Sequence, residues 1–199
     1  MTSSNSRTSD HAVEPLFLDR WSPRAFAEDA ISEETLLSLF EAARWAPSSY
    51  NAQPWRFIYA TRGSAHWERL FGLLNPFNQS WAGSAAALII VVSKTTMRPP
   101  GASADVPYYS HSFDAGAAWA LLALQGAKLG WYAHGMAGFD IPRASVELGI
   151  PADYRVEAAI AVGRLGDPAS LPEPMRAREM PSGREPVSAF AFEGAFPAA

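Results

Sequence analysis

The feature that most constrains the fold is a continuous aliphatic run near the middle of the chain. Residues 86–92 read Ala-Ala-Leu-Ile-Ile-Val-Val, with no polar side chain. Such a run is typical of a strand that other elements cover on both faces. A second run, residues 114–129, is apolar on nearly every side and predicts a helix at the centre of the protein or at a subunit contact. We therefore predict a buried strand and a buried helix at the heart of the fold.

Composition limits the class of protein. The chain has 199 residues, of which 48% are hydrophobic, and this is enough for one domain with a substantial core. It has no cysteine, which excludes disulfides, thiolate nucleophiles, zinc ribbons and cysteine-ligated iron–sulfur clusters. The formal net charge of −4 gives no reason to expect a nucleic acid partner.

Neither a membrane segment nor a metal site is predicted. Residues 1–10 are polar and lack the apolar core of a signal peptide. The apolar run over residues 85–92 is far too short to span a bilayer, so we expect a cytoplasmic protein. His66, His111 and His134 are widely spaced, and no metal-binding pattern joins them.

Local signals predict helices and strands along the domain. Ser32 is the predicted N-cap of a helix that Pro47 ends. Asn75-Pro76 is predicted to stop the next helix, and Asp140 to cap a later one. The other predicted elements are strands over residues 56–61, 131–137 and 156–162, and a helix over residues 66–74.

The two ends of the chain are predicted to differ from the domain over residues 13–188. Residues 1–12 predict a flexible leader. The last part of the chain, residues 164–199, carries six prolines and little periodicity. Phenylalanine side chains at positions 190, 192 and 196 would be unfavourable in water, so this tail is expected to lie across its own domain or a partner's.

Two arginines and a serine alternate near the start of the domain. In an extended segment Arg20, Ser22 and Arg24 would place their side chains on one face. Arginine's planar fork suits a phosphate group, and a serine hydroxyl adds a compact donor. Alone the pattern is weak, because arginines on an exposed strand are more often solvated.

A polar loop wedged between two prolines is more specific. Residues 47–55 read Pro-Ser-Ser-Tyr-Asn-Ala-Gln-Pro-Trp. Turn-forming residues explain the end of a helix, but they do not explain why Gln53-Pro54-Trp55 leads straight into a predicted strand. The hydroxyl and amide groups of this loop could line a flat heterocycle.

These motifs, with others in the same order, resemble the nitroreductase family. The further segments are Phe77-Asn78-Gln79, residues 130–140 (Gly-Trp-Tyr-Ala-His-Gly-Met-Ala-Gly-Phe-Asp), residues 158–163 and residues 181–186. Each segment alone is weak evidence for the resemblance, but together they are strong evidence because they occur in the order expected for the family. The resemblance covers residues 13–188.

The resemblance implies an α+β fold, with a mostly antiparallel sheet packed by helices, in a homodimer that exchanges tails. Residues 189–199 would then pack on the partner subunit. It implies that FMN binds across the dimer interface and that NADH or NADPH is the electron donor. The implied activity is an FMN-dependent oxidoreductase, in which hydride passes to flavin N5 and electrons pass on to a nitroaromatic, quinone or similar acceptor by a ping-pong mechanism. No catalytic side chain is implied, because solvent can deliver protons.

The resemblance also assigns roles to individual residues. Arg20, Ser22 and Arg184 would hold the phosphate, Arg24 would lie near flavin N1 and O2, and Asn78 would face the pyrimidine edge. The backbone N–H of Ala137 would face N5, with Gly138 permitting close approach. Pro47, Ser48, Ser49 and Asn51 would come from the partner subunit. The complete predicted cofactor-binding set is Arg20, Trp21, Ser22, Arg24, Pro47, Ser48, Ser49, Asn51, Gln53, Asn78, Met136, Ala137, Gly138 and Arg184.

Three departures make the site less basic than in many relatives: Trp21, Trp81 and Ser182 stand where a basic residue is common. FMN would then bind less tightly, or its redox potential would be more negative. Two alternatives stay open: a member of the family with other flavin chemistry, such as ring oxidation, flavin cleavage or enoyl or aldehyde reduction, and a flavin-binding dimer without turnover. Tyr108, Tyr109 and Phe113 are candidates for shaping the pocket.

Overall fold

The computed structural model describes residues 6–197 and has a four-stranded sheet at its centre. The strands are β1 (Trp55–Thr61), β2 (Ala87–Lys94), β3 (Thr96–Met97), β4 (Val106–Pro107), β5 (Tyr132–Met136) and β6 (Tyr154–Gly163). The central sheet has the order β1-β2-β6-β5, and its neighbouring strands are antiparallel, whereas β3 and β4 pair separately. The predicted α+β fold with an antiparallel sheet is confirmed.

Helices cover the sheet. They are α1 (Pro15–Asp19), α2 (Glu33–Arg44), α3 (Trp67–Phe71), α4 (Pro76–Ala82), α5 (His111–Lys128), α6 (Ile141–Glu147) and α7 (Glu173–Arg176). The predicted caps are confirmed, because the side chain of Ser32 accepts from the Thr35 N–H and that of Asp140 from the Arg143 N–H. Each cap satisfies a backbone donor that the first helical turn leaves without a partner.

The core lies on both faces of β2, as the aliphatic run predicts. Leu88, Ile90 and Val92 contribute to one hydrophobic cluster, which also contains residues of α3, α4 and α6. Ile89 and Val91 contribute to a second cluster, with residues of α2 and α5. Side chains alternate across a strand, so a strand without a polar face must be covered on both sides.

The prediction that Asn75-Pro76 stops a helix is wrong. The preceding helix, α3, already ends at Phe71, and Asn75-Pro76 begins α4. The Asn75 side chain accepts a hydrogen bond of 2.9 Å from the Asn78 N–H, and Pro76 occupies the first helical position, where its missing N–H is not needed. The helix α1 and the β3–β4 pair were not predicted, because they are too short to show a hydrophobic period.

The leader and the tail lie against each other where the structure describes them. The Val187 N–H donates to the Asp10 carboxylate (3.4 Å), and a cavity of about 680 Å³ between the two segments is lined in part by Val13 and Phe190. Phe190 remains 65% exposed and Phe196 86% exposed, so the chain by itself does not cover the tail. The first five predicted leader residues and the last two predicted tail residues lie outside the described range.

Within residues 6–197, no helix is both long enough and apolar enough to cross a membrane.

Candidate functional site

Arg20 and Ser22 meet beside a cavity between α1, α5 and β5. The Arg20 guanidinium donates to the Ser22 hydroxyl (Nη1 to Oγ, 3.4 Å). Arg20 follows α1 in an extended conformation, so its side chain and that of Ser22 turn to the same side. Both line a cavity of about 480 Å³, together with Phe17, Trp119, Ala120, Ala123, Leu124 and Gly135.

Two further arginines approach this pair. Burial and then the positive charge of Arg184 lower the pKa of Arg20 from its ordinary value. Burial and then the charges of Arg184 and Arg20 lower the pKa of Arg7. We call Arg7, Arg20 and Arg184 the arginine cluster. Positive charges that are close enough to repel one another favour an anion, and the arginine fork matches a phosphate.

Arg24 does not line the cavity that Arg20 and Ser22 line. Its backbone N–H and that of Ala25 donate to the same Glu179 oxygen, Oε1, at 2.6 and 2.8 Å. Three buried polar atoms in this neighbourhood have no hydrogen-bond partner among the described residues: Arg24 Nε, Trp81 Nε1 and Glu179 Oε2. Buried polar groups are nearly always paired, so these atoms mark a place where a ligand would complete the bonding.

Gly138 lies against Asn75 and Asn78. The Asn78 side-chain amide donates to the Gly138 carbonyl (2.9 Å), as does the Asn75 backbone N–H (3.0 Å). A Cβ atom at Gly138 would lie 2.5 Å from Asn75 Nδ2 and 2.7 Å from Asn78 Nδ2. Close approach does require glycine here, and the atoms that approach are two asparagine side chains. Of the neighbouring predicted residues, Met136 is buried and Ala137 exposed.

The loop at residues 47–53 has an unusual backbone. Tyr50, Asn51 and Gln53 have φ angles of 53°, 54° and 48°, in the left-handed region that side chains rarely adopt. The Gln53 N–H donates to Ser48 Oγ (3.0 Å), which closes the loop. Such conformations persist only where the surroundings enforce them.

Tyr108 and Asp114 fix this loop from α5 and from the segment before it. The buried Asp114 carboxylate accepts from the Ser49 N–H (3.1 Å), the Ser110 hydroxyl (3.3 Å) and the Tyr108 hydroxyl. Tyr108 also donates to the Ser49 carbonyl (3.0 Å). Sequence reasoning missed Asp114, although a lone acidic residue inside an apolar helix was a usable signal.

The loop at residues 47–53 does not meet the other predicted residues. Throughout the described part of the chain, its hydrogen bonds outside the loop go to the first residues of β1, to Tyr108 and to Asp114. None of them reaches Arg20, Asn78 or Arg184. Tyr109 and Phe113, which border the Asp114 contact, are almost fully exposed to solvent.

Two aromatic residues border the Arg24 region. Trp21 packs edge-on against Tyr132, with ring centroids 6.4 Å apart. The His134 ring lies 4.7 Å from the ring of Trp81, and its Nδ1 donates to the Pro23 carbonyl (2.8 Å). Burial, followed by the charge of Arg24, lowers the pKa of His134. His134 thus joins β5 to the segment before Arg24.

Residues 6–197 contain no group of three or more histidine, aspartate or glutamate side chains that could hold a metal ion.

Comparisons with known proteins agree with this architecture. The family model described as the nitroreductase family matches residues 18–75, which include Arg20, Ser22 and the loop at residues 47–53. A crystal structure of an oxidoreductase containing FMN is 46% identical, covers 100% of both chains and superposes with a TM-score of 0.94.

Two curated relatives extend the match. An uncharacterised 15.4 kDa protein of Mycolicibacterium smegmatis is 35% identical over 148 residues, which are 70% of this chain and 95% of that protein. A Streptomyces coelicolor protein, provisionally named NADH dehydrogenase/NAD(P)H nitroreductase, is 28% identical over 176 residues, or 79% of this chain and 83% of that protein. With a full-length fold match and a family model that spans the arginine–serine pair and the loop, the chain belongs to the nitroreductase family of oxidoreductases.

Proposed function

We propose that this chain is an FMN-dependent oxidoreductase that uses NADH or NADPH to reduce an electron-poor acceptor, such as a nitroaromatic or a quinone. The observation that carries the proposal is that Arg20 and Ser22 meet beside a cavity, while Arg7 ties the Ser182–Arg184 turn to the Arg20 carbonyl. It occurs in a chain that is 46% identical to an oxidoreductase containing FMN. The name of the Streptomyces coelicolor relative supports a nicotinamide donor.

The residues present fit FMN at both of its ends. A phosphate dianion would relieve the repulsion among the arginines and accept their hydrogen bonds. The pyrimidine edge of a flavin carries acceptor atoms, and Arg24 Nε and Trp81 Nε1 are buried donors without a described partner. Trp81 therefore offers a neutral donor at the position where some relatives have a lysine.

The roles of this chain's side chains follow from those contacts. Arg20, Ser22 and Arg184 would bind and orient the phosphate. Arg24 would place a positive charge where a reduced flavin is negative. Bound FMN would itself supply the redox chemistry, by taking a hydride at N5 and returning electrons to the acceptor. The protein contributes position, charge and exclusion of water.

A second copy of the chain would complete the site. The loop at residues 47–53 is held by hydrogen bonds to Tyr108 and Asp114, and none of its hydrogen bonds within the described part of the chain goes to Arg20, Asn78 or Arg184. The side of α5 away from the sheet is exposed and apolar, with Phe113, Gly116 and Ala120 open to solvent. These observations support a homodimer in which Pro47, Ser48, Ser49 and Asn51 line the partner's cofactor site.

The absorption spectrum of the purified protein tests the cofactor and the donor together. We expect a flavin spectrum, release of FMN on denaturation, and bleaching when NADH or NADPH is added without oxygen. Release of FAD, or no flavin after reconstitution, would contradict the proposal. Bound FMN that neither nucleotide reduces would favour other flavin chemistry.

Deletion of residues 187–199 tests the shared site. These residues include exposed tail phenylalanines but none of the proposed FMN contacts. We expect the dimer to loosen and the flavin-to-protein absorbance ratio to fall together, measured by light scattering and spectroscopy. A truncated chain that is monomeric and fully loaded with FMN would refute the shared site.

A further inference from the structure

Arg7, from the predicted leader, joins three separate segments of the chain. Its Nε donates to the Ser182 carbonyl of the tail (2.7 Å). Its Nη1 donates to the Leu18 carbonyl (3.0 Å) and to the Arg20 carbonyl (2.8 Å) at the end of α1. The last carbonyls of a helix have no partner within the helix, so Arg7 satisfies groups that α1 leaves open.

The bond to Ser182 also determines where Arg184 lies. Arg184 folds back on this turn, because its Nη1 donates to Ser182 Oγ (3.0 Å) and to the Gly183 carbonyl (2.8 Å). Five residues before Arg184, Glu179 accepts from the backbone N–H groups of Arg24 and Ala25. Glu179 and Ser182 thus both attach this part of the tail to the domain, and the bond from Arg7 to Ser182 is the attachment nearer to Arg184.

The charge of Arg7 adds to the same place. Arg7 and Arg184 both line the cavity of about 680 Å³ between leader and tail, which Asp10 and Glu185 also border. The Asp10 carboxylate accepts from the Val187 N–H. Arg7 and Arg20 each lie close enough to Arg184 to be affected by its charge. A dianionic ligand between Arg20 and Arg184 would be attracted by the three arginines and repelled by the carboxylates of Asp10 and Glu185, which leaves an excess of one positive charge.

We propose that Arg7 is a positioning residue of the FMN phosphate site, which places Arg184 beside Arg20 and supplies a third positive charge. The proposal rests on the proposed function, since it assumes that the ligand of the arginine cluster is the FMN phosphate. It assigns to the leader a part in cofactor binding, so that the phosphate site is built from the leader, the end of α1 and the tail.

The experiment compares FMN with riboflavin, which has the same ring and ribityl chain but no phosphate. Arg7→Ala should raise the Kd of FMN by about 10-fold, as expected for loss of a charge-assisted contact, and that of riboflavin by less than about 2-fold. Arg7→Lys keeps the charge but cannot span the carbonyls of Ser182 and Arg20, so it should weaken FMN by roughly 3-fold. Arg69→Ala, an exposed arginine on α3, is the charge-matched control and should change neither Kd.

A double variant tests the positioning role. If Arg7 acts through Arg184, the effects of Arg7→Ala and Arg184→Ala on FMN affinity should be less than additive, by roughly 3-fold or more. Fully additive effects would overturn the positioning claim. Equal weakening of FMN and riboflavin, or no weakening, would overturn the assignment of Arg7 to the phosphate.

Failure of the proposed function would look different. In that case the unaltered protein would bind neither FMN nor riboflavin, and the inference would fall with it. Circular dichroism of each variant excludes misfolding, and the folded Arg7→Lys variant decides the question if Arg7→Ala does not fold.

Discussion

The two ends of the candidate site are built in opposite ways. The loop at residues 47–53 is held by a buried carboxylate. Asp114 is 4% exposed and accepts from the Ser49 N–H, and the Tyr108 hydroxyl contacts both the Asp114 carboxylate and the Ser49 carbonyl. The arginine cluster is assembled near the surface from the leader, the end of α1 and the tail, and Arg7 joins these segments by bonds to carbonyl groups. One end is anchored in the core, and the other is attached to the core from outside.

This difference predicts which property a substitution at each end should change. Removing a partner from a buried polar group leaves other groups unsatisfied and costs stability. Changing a partly exposed cation cluster alters ligand affinity and leaves the core intact. Variants at the loop should therefore change mainly the free energy of unfolding, and variants at the arginine cluster mainly the affinity for FMN.

The largest effect is expected for Asp114→Ala. It would leave the Ser49 N–H without its acceptor and the Tyr108 hydroxyl with only the Ser49 carbonyl. We therefore expect a loss of about 2–4 kcal/mol in the free energy of unfolding. Urea denaturation measures it, and Asp29→Ala, an exposed carboxylate, should stay within about 0.5 kcal/mol of the unaltered protein. A loss below about 1 kcal/mol would mean that the loop is not anchored in the core.

Arg20→Ala and Arg184→Ala should each raise the Kd of FMN by roughly 10- to 100-fold, since a charge-assisted contact contributes about 1.5–3 kcal/mol. Neither should change the free energy of unfolding of the apoprotein by more than about 0.5 kcal/mol. Fluorescence titration with FMN and urea denaturation test the two parts. Unchanged FMN affinity in both variants would show that the phosphate binds elsewhere.

Gly138→Ala tests whether the contact of Gly138 with Asn75 and Asn78 contributes to stability, as the loop at residues 47–53 does. The new Cβ would lie within 2.7 Å of both asparagine amides, so overpacking should cost about 1–3 kcal/mol of stability. At Gly183, a Cβ would meet no atom within 4 Å, so Gly183→Ala should leave the stability unchanged. If Gly138→Ala and Gly183→Ala have the same free energy of unfolding, the close approach at Gly138 does not affect stability.

The smallest effect is expected from the titration of His134. Burial lowers its pKa in the folded state, so below about pH 6.5 the unfolded chain binds a proton that the folded chain does not. Its contribution to stability is complete above pH 6.5, is lost as the pH falls towards the folded pKa, and then levels off. Urea denaturation from pH 8 to pH 5 should therefore show a shallower decline in His134→Gln than in the unaltered protein. The exposed His66→Gln is the control, and a profile of His134→Gln identical to that of the unaltered protein would contradict the expectation.

Prediction from the sequence succeeded where the signal is local or periodic. The aliphatic run at β2 has no polar face, and Ser32 and Asp140 carry side chains that cap a helix in one way. It failed at Asn75-Pro76, where the same pair can end one helix or begin the next. That choice depends on whether the residues that follow pack against the sheet, as Trp81 and Ala82 do.

The sequence by itself determined the family, the buried strand and helix, and the residue types suited to a phosphate and a flat ring. These depend on side-chain chemistry and on periodicity, which are present in the chain before it folds. Only the tertiary structure decided that Arg7 bonds both the end of α1 and the tail turn before Arg184, that Arg24 does not line the cavity beside Arg20, and that Asp114 holds the loop. The hydrogen bond from Arg7 to Ser182 joins residues 175 positions apart, and no local pattern encodes a contact at that separation.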